Sequence, residues 1–156
     1  MKNLKYLLLV IPLLLGFTAC NDDDKTPVIT VYADMYGFYY VENKATLFVA
    51  PDDYIVIKSL KAVSDNNTDA TIGYASYSLN GEEVFTTSTD PFSFTLSTNK
   101  FNPGSNVLTI DMLVKVPGAD LTPVLSGYEI TAVNSVAELP AGAVYYSATQ
   151  DKEENQ

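Results

Sequence analysis

Leu108, Ile110, Met112, Val114 and Val116 occupy every second position of one unbroken run, with Thr109, Asp111 and Lys115 among the residues between them. Successive side chains of a strand point to opposite faces, so this spacing predicts a β-strand with one face buried. Such a strand cannot stand alone, because each of its backbone N–H and C=O groups needs a partner. Upstream, residues 72–79 and 82–87 flank Asn80-Gly81. That dipeptide is the strongest short hairpin signal, since a type I′ turn requires positive φ at both central residues. Downstream, Pro117-Gly118 closes the alternating run and residues 122–133 read as its returning partner.

The remainder has the same grain. Val28-Ile29-Thr30-Val31-Tyr32 and residues 35–41 are rich in β-branched and aromatic side chains, and residues 45–50 end at Pro51. Tyr54-Ile55-Val56-Ile57-Lys58 leads towards a polar loop at 64–69. Asp90-Pro91 interrupts pairing before Phe92-Ser93-Phe94-Thr95-Leu96 alternates again, and Asn102-Pro103-Gly104 makes a further turn. Residues 143–147 can add an edge strand, and 149–156 form a polar tail. No helical periodicity persists and no internal repeat is evident, so short strands between turn signals predict an all-β sandwich.

Three stretches carry a resemblance. Tyr77-Ser78-Leu79-Asn80-Gly81-Glu82-Glu83-Val84, then Ser88-Thr89-Asp90-Pro91-Phe92, then Asn102-Pro103-Gly104-Ser105-Asn106-Val107-Leu108-Thr109 resemble bacterial immunoglobulin-like domains. Those share a tyrosine–hydrophobe–Asp-Gly hairpin, a Pro-Phe strand entry and a Gly-x-His-x-Leu strand start. Asn80 stands here for the usual aspartate, and Asn106 where histidine is common. The resemblance implies an immunoglobulin-like β-sandwich of about seven to nine antiparallel strands over residues 27–148. Such domains serve as spacers, adhesion modules and carbohydrate-binding accessories, so the fold does not choose among them.

Residues 1–19 have the layout of a secretory signal: Lys2 and Lys5, then an apolar run from Tyr6 to Leu15, then Gly16, Thr18 and Ala19. The run is shorter than the roughly 20 residues a permanent membrane helix needs. Phe17-Thr18-Ala19-Cys20 resembles a lipobox, which implies cleavage before Cys20 and lipidation of that residue. Cys20 is the only cysteine of the chain and falls where such processing requires one. Residues 20–26 then form an acidic linker, and Asp22-Asp23-Asp24 behind the cysteine is similar to the surface-export signal of Bacteroidetes-type lipoproteins. The expected location is the outer membrane, lipid-anchored and facing the cell exterior.

Composition narrows the chemistry. All nineteen acidic residues follow the leader, whereas two of the nine lysines lie within it, leaving seven lysines, no arginine and a formal charge of −12. Nucleic-acid binding depends on cationic side chains to neutralise phosphates, so it is excluded as an expectation. The chain has no histidine. Ser-His-Asp triads, Cys-His pairs and histidine zinc sites are therefore out of reach.

Three candidate sites remain. Tyr36, Phe38 and Tyr40 would share one face of a continuous strand, with Met35, Gly37, Tyr39 and Val41 on the other. Only one face can enter a single core, and an exposed aromatic face suits the C–H faces of sugar rings. The competing reading is that this face is core and Gly37 marks a bulge. Asp65, Asn66, Asn67 and Asp69, or Asp52 with Asp53, offer oxygen ligands for calcium, but without EF-hand spacing and in ordinary turn chemistry. Glu82 with Glu83, or Asp52 with Asp53, could serve glycoside hydrolysis only if they converged, which sequence neighbours on a strand do not. The expectation is a non-catalytic, lipid-anchored binding module, with Tyr36, Phe38 and Tyr40 as candidate glycan contacts and no metal or cofactor. The alternative is a structural or protein-interaction subunit of a surface assembly, whose partner would be a surface protein rather than a polysaccharide.

Overall fold

The computed structural model describes residues 28–65 and 69–148. The signal segment 1–19, Cys20, the acidic linker, residues 66–68 and the polar tail 149–156 lie outside the described residues. The strands are β1 (Ile29–Tyr36), β2 (Phe38–Tyr40), β3 (Leu47–Val49), β4 (Tyr54–Ser64), β5 (Thr71–Leu79), β6 (Glu82–Thr87), β7 (Phe94–Ser97), β8 (Gly104–Lys115), β9 (Thr122–Ala132) and β10 (Val144–Tyr146). They form a three-stranded sheet, β1-β4-β7, and a seven-stranded sheet, β10-β2-β3-β9-β8-β5-β6. The chain crosses between sheets five times, from β1 to β2, β3 to β4, β4 to β5, β6 to β7 and β7 to β8, as the chain of an immunoglobulin-like sandwich does. The all-β sandwich read from the sequence is the observed fold. It differs in two details: three strands are only three residues long, which raises the described count to ten, and β3 runs parallel to β9.

The alternating run becomes the middle of the larger sheet. Leu108, Ile110, Met112 and Val114 on β8 are buried, opposite Leu79, Tyr77, Ala75 and Ile72 of β5. They meet Ile55, Ile57, Leu60 and Ala62 of β4 and Leu96 of β7 in one apolar cluster between the sheets. Asn80 (φ 54°) and Gly81 (φ 84°) adopt the backbone that the hairpin turn requires. At the open side, Tyr77, Phe85 and Phe94 stack, with the Phe85 and Phe94 rings 5.2 Å apart and 9° from parallel. The Tyr77 hydroxyl donates to the Phe92 carbonyl oxygen.

Asn106 is the polar counterpart of that core. Its side chain is 1% exposed, so its amide must be satisfied internally. Nδ2 donates to the carbonyls of Asn102 (2.7 Å) and Gly104 (2.9 Å), while Oδ1 accepts from the Asn102 N–H (3.0 Å) and from Asn80 Nδ2 (2.9 Å). Asn80 Oδ1 in turn accepts from the Val107 N–H at 2.9 Å. The two asparagines that depart from the resembled family's pattern therefore bond to each other and join the β5–β6 turn to the start of β8.

The aromatic segment corrects an expectation. Tyr36, Phe38 and Tyr40 do not lie on one strand face, because Gly37, with φ of 88°, ends β1 in the small sheet and starts β2 in the large one. Tyr36 pairs with Val56 on the outer side of the small sheet. Phe38 turns into the core, 4% exposed, and stacks on Tyr146 at 5.5 Å. Tyr40 packs half-buried against the core, edge-on to Tyr146. Gly37 is obligatory at this crossing: a Cβ there would stand 1.9 Å from the Tyr54 carbonyl oxygen. At Gly81 the φ is equally positive, but nothing lies within 4 Å of the added carbon.

Replacing each glycine by alanine separates the two causes. Gly81→Ala should cost about 1–2 kcal/mol, the left-handed backbone penalty alone. Gly37→Ala should cost at least about 2 kcal/mol more, because backbone must also move. Urea denaturation midpoints of the two variants check the difference; equal midpoints would mean that the close approach at Gly37 is relieved at no cost.

Candidate functional site

The sheet crossing gathers side chains that lie far apart in sequence. Gly37 N–H donates to the Tyr146 carbonyl at 2.8 Å, which draws β10 against the crossing. One residue earlier, Tyr145 lies opposite Tyr39, with ring centroids 4.8 Å apart and planes tilted by 53°. Phe38 faces inward, so Tyr39 occupies the opposite face of β2. On the other side of the crossing, Tyr36 and Tyr54 both project from the outer face of the small sheet, where Tyr54 is 56% exposed. Tyr36 and Tyr54 thus stand on the outer face of the small sheet and Tyr39 and Tyr145 on that of the large one, on either side of the crossing.

A carboxylate fixes the corner. Tyr145 Oη donates to Asp53 Oδ2 at 2.7 Å, across 92 residues of chain. The other oxygen of Asp53 accepts from the Tyr54 N–H at 2.8 Å. Its backbone is held from the opposite side: the Asp53 N–H donates to Thr98 Oγ1, and the Thr98 hydroxyl and N–H both donate to the Asp53 carbonyl at 3.0 and 2.9 Å. Asp52 and Asn99 exchange a reciprocal pair, Asp52 N–H to Asn99 Oδ1 and Asn99 Nδ2 to Asp52 Oδ1, each at 3.1 Å. Burial, then the bond to Asp53, then the charge of Asp53, push the Tyr145 hydroxyl up to about 12.

The remaining candidates fall elsewhere. Asp52 and Asp53 turn to different partners, Asn99 and Tyr145, rather than to a shared point. Glu83 accepts from Ser76 Oγ at 2.9 Å at the β6 edge, and Glu82 is exposed beside the turn. Asp65 Oδ1 accepts from the Val28 N–H at 3.2 Å, at the opposite end of β1. Among the described residues no three acidic groups converge as metal ligands would. A cleft of about 240 Å³ adjoins the corner, lined by Val49, Pro51, Thr98, Asn99, Phe101 and Asn134 among others. It is smaller than the roughly 300 Å³ at which ligand pockets begin.

No family model matches the chain, and no curated protein does. Among solved structures, the fibronectin(III)-like modules of CbhA from Clostridium thermocellum are similar to it. The TM-score is 0.40 at 10% identity, over 70% of this chain and 51% of that one, so the match spans about half of that chain's length.

Sequence reasoning singled out Tyr36 and weighed Asp52 with Asp53, but missed Tyr54 beside Asp53 and the bond from Tyr145 to it. The available signal was Gly37 amid aromatics: a positive-φ residue there would redirect alternate side chains. Nothing local could reveal the bond between Tyr145 and Asp53.

The raised Tyr145 hydroxyl gives a pH signature. The unfolded chain loses this proton near 10.0, the ordinary value of a tyrosine, and the folded one at about 12. Above pH 10 the native state therefore holds more protons than the unfolded one, and the stability from this group, fully present below pH 10, is lost as pH rises through about 12. Absorbance titration at 295 nm should show a late tyrosinate step that shrinks in Tyr145→Phe; an unchanged late step would assign it to Tyr77, which burial pushes up to about 12, and Tyr128, which burial also raises.

Proposed function

We propose that this chain is a non-catalytic binding module, lipid-anchored through Cys20 on the outer face of the outer membrane, and that it takes a neutral glycan at the corner formed by Tyr36, Tyr39, Tyr54 and Tyr145. The carrying observation is the bond from Tyr145 to the fixed carboxylate of Asp53, with Tyr39 against the Tyr145 ring and the exposed Tyr54 next to Asp53 in the chain. Aromatic faces pack against the C–H faces of sugars, while phenol hydroxyls and a fixed carboxylate offer donors and acceptors to sugar hydroxyls. A formal charge of −12 beyond the leader favours a neutral ligand over an acidic one.

Chain direction supports the same reading. β1 begins at Ile29, a few residues after Cys20, and ends at Tyr36, so its length separates the anchored end from the corner. At about 3.3 Å per residue, that length places the corner roughly 25 Å beyond the anchored end of the strand.

A protein partner is the second reading. It is favoured by β6, the outermost strand of the large sheet, exposed along nearly its whole length with its outer backbone edge available for strand addition. Glu82, Glu83 and the bulge at the Tyr77/Ser78 register shift guard only its first half.

The two readings separate in affinity electrophoresis of residues 21–156, which contain the whole described fold. A gel carrying a neutral polysaccharide should retard the wild-type chain, and the Tyr36→Ala/Tyr54→Ala double variant should migrate as on a plain gel while keeping its circular dichroism. Uniform migration across a broad polysaccharide panel would transfer the function to a protein partner, to be sought by crosslinking on intact cells.

A further inference from the structure

Asn80-Gly81 is a reactive dipeptide as well as a turn. The backbone nitrogen that follows an asparagine can attack the side-chain amide carbon, and glycine, lacking a Cβ, obstructs that attack least. Of the asparagines in the chain, only Asn80 is followed by glycine. Asn80 is exposed, so water reaches it, and nothing stands within 4 Å of the point a Gly81 Cβ would occupy. Both reacting groups and the water are therefore present at the turn, and no further reagent is needed.

The fold keeps them from reacting. The Asn80 N–H donates to the Val107 carbonyl at 2.8 Å, and Asn80 Oδ1 accepts from the Val107 N–H at 2.9 Å. Asn80 Nδ2 donates to Asn106 Oδ1, also at 2.9 Å. Both ends of the side-chain amide are thus tied to the start of β8. Ring closure onto the Gly81 nitrogen requires the amide plane to rotate, which breaks both ties. Asn106 is itself immobile, 1% exposed and bonded to the Asn102 N–H and to the Asn102 and Gly104 carbonyls. Asn80 can react only when the turn lifts away from β8, a local opening of the sheet end.

We propose that Asn80 is a deamidation site gated by its bond to Asn106, and that the reaction releases the β5–β6 turn from β8 irreversibly. The Gly81 nitrogen forms a bond to Asn80 Cγ, the Cγ–Nδ2 bond breaks, and Nδ2 leaves as ammonia with the proton from the Gly81 N–H. Water then opens the five-membered imide at either carbonyl, giving aspartate or isoaspartate. Nothing is oxidised or reduced. Aspartate at position 80 presents an acceptor to Asn106 Oδ1, where the amide presented a donor. Asn106 cannot turn its own donor round, because Nδ2 already serves two carbonyls. Isoaspartate does further damage: it adds a carbon to the backbone of a two-residue turn across which Leu79 and Glu82 pair.

The test uses the full-length protein in nonionic detergent at pH 8, held folded or in urea above its unfolding transition. Tandem mass spectrometry of tryptic peptides follows the exchange of ammonia for water at residue 80. Each bond that must open contributes a factor of about five, so the folded chain should deamidate there at least about tenfold more slowly than the unfolded one. Equal rates would overturn the gating. Folded Asn106→Ala, or Asn106→Ser if the alanine variant loses its circular dichroism, should react at least about threefold faster than the folded wild type. A rate unchanged in the folded variant would take the gate away from Asn106 and overturn the proposal. Asn80→Asp, the reaction product at an exposed position, should fold with a lowered urea midpoint; a midpoint equal to that of the wild type would mean that deamidation does not release the turn.

Discussion

The approach of Gly37 to the Tyr54 carbonyl governs the architecture around it. No side chain fits between these two backbones, and only a residue at ease with positive φ can make the turn. That one position lets the first long stretch serve two sheets: β1 pairs with β4 in one, β2 with β10 and β3 in the other. The switch then sorts the aromatics. Tyr36 stays outside the small sheet, Phe38 drops into the core, and Tyr39 emerges beside Tyr145. With a straight strand, the same sequence would place three aromatic rings on one face and leave the corner empty.

A second constraint works at the β5–β6 turn. Immunoglobulin-like sandwiches must hold hairpin turns against strand starts that lie far away in sequence, and here two asparagines do it. Asn106 is buried with its amide fully engaged, and Asn80 reaches it from a turn that needs a residue tolerant of positive φ. Asparagine meets both demands, since it tolerates the left-handed region and offers a donor and an acceptor on one planar group. A buried amide of this kind costs more when half-satisfied than it contributes when whole, which makes the register of β5 against β8 specific as well as stable.

Much of this was legible in the sequence wherever one strand face is buried and the other is not. The alternation from Leu108 to Val116 named β8, the Asn80-Gly81 pair named the β5–β6 turn, and Pro117-Gly118 marked the end of the strand before β9 returns. The segments that resisted were those where alternation fails as a guide. At Tyr36–Tyr40 the period-two reading assumed a continuous strand, and a single positive-φ glycine broke it. β3 is three residues long and runs parallel to β9, more than eighty positions away; neither feature leaves a local mark. Asp52 and Asp53 looked like possible metal or catalytic carboxylates because a sequence shows charges without their partners. Thr98, Asn99 and Tyr145 supply those partners, and each is remote.

The completeness of those bonds bears on how the corner would act. Asp53 has both carboxylate oxygens engaged and its backbone clamped by Thr98, so it cannot rotate to meet a ligand. Tyr145 is held by its hydroxyl, and Tyr39 lies against its ring. A ligand arriving here meets ring planes already fixed, and little side-chain entropy is lost on contact, at about 0.5–1.5 kcal/mol per side chain that would otherwise need ordering. Tyr54, the most exposed of the four, is the exception, with its backbone locked and its ring free to settle. Such an arrangement favours shape-matched, uncharged faces over charged groups, because the one carboxylate present already accepts the Tyr145 proton and the Tyr54 N–H.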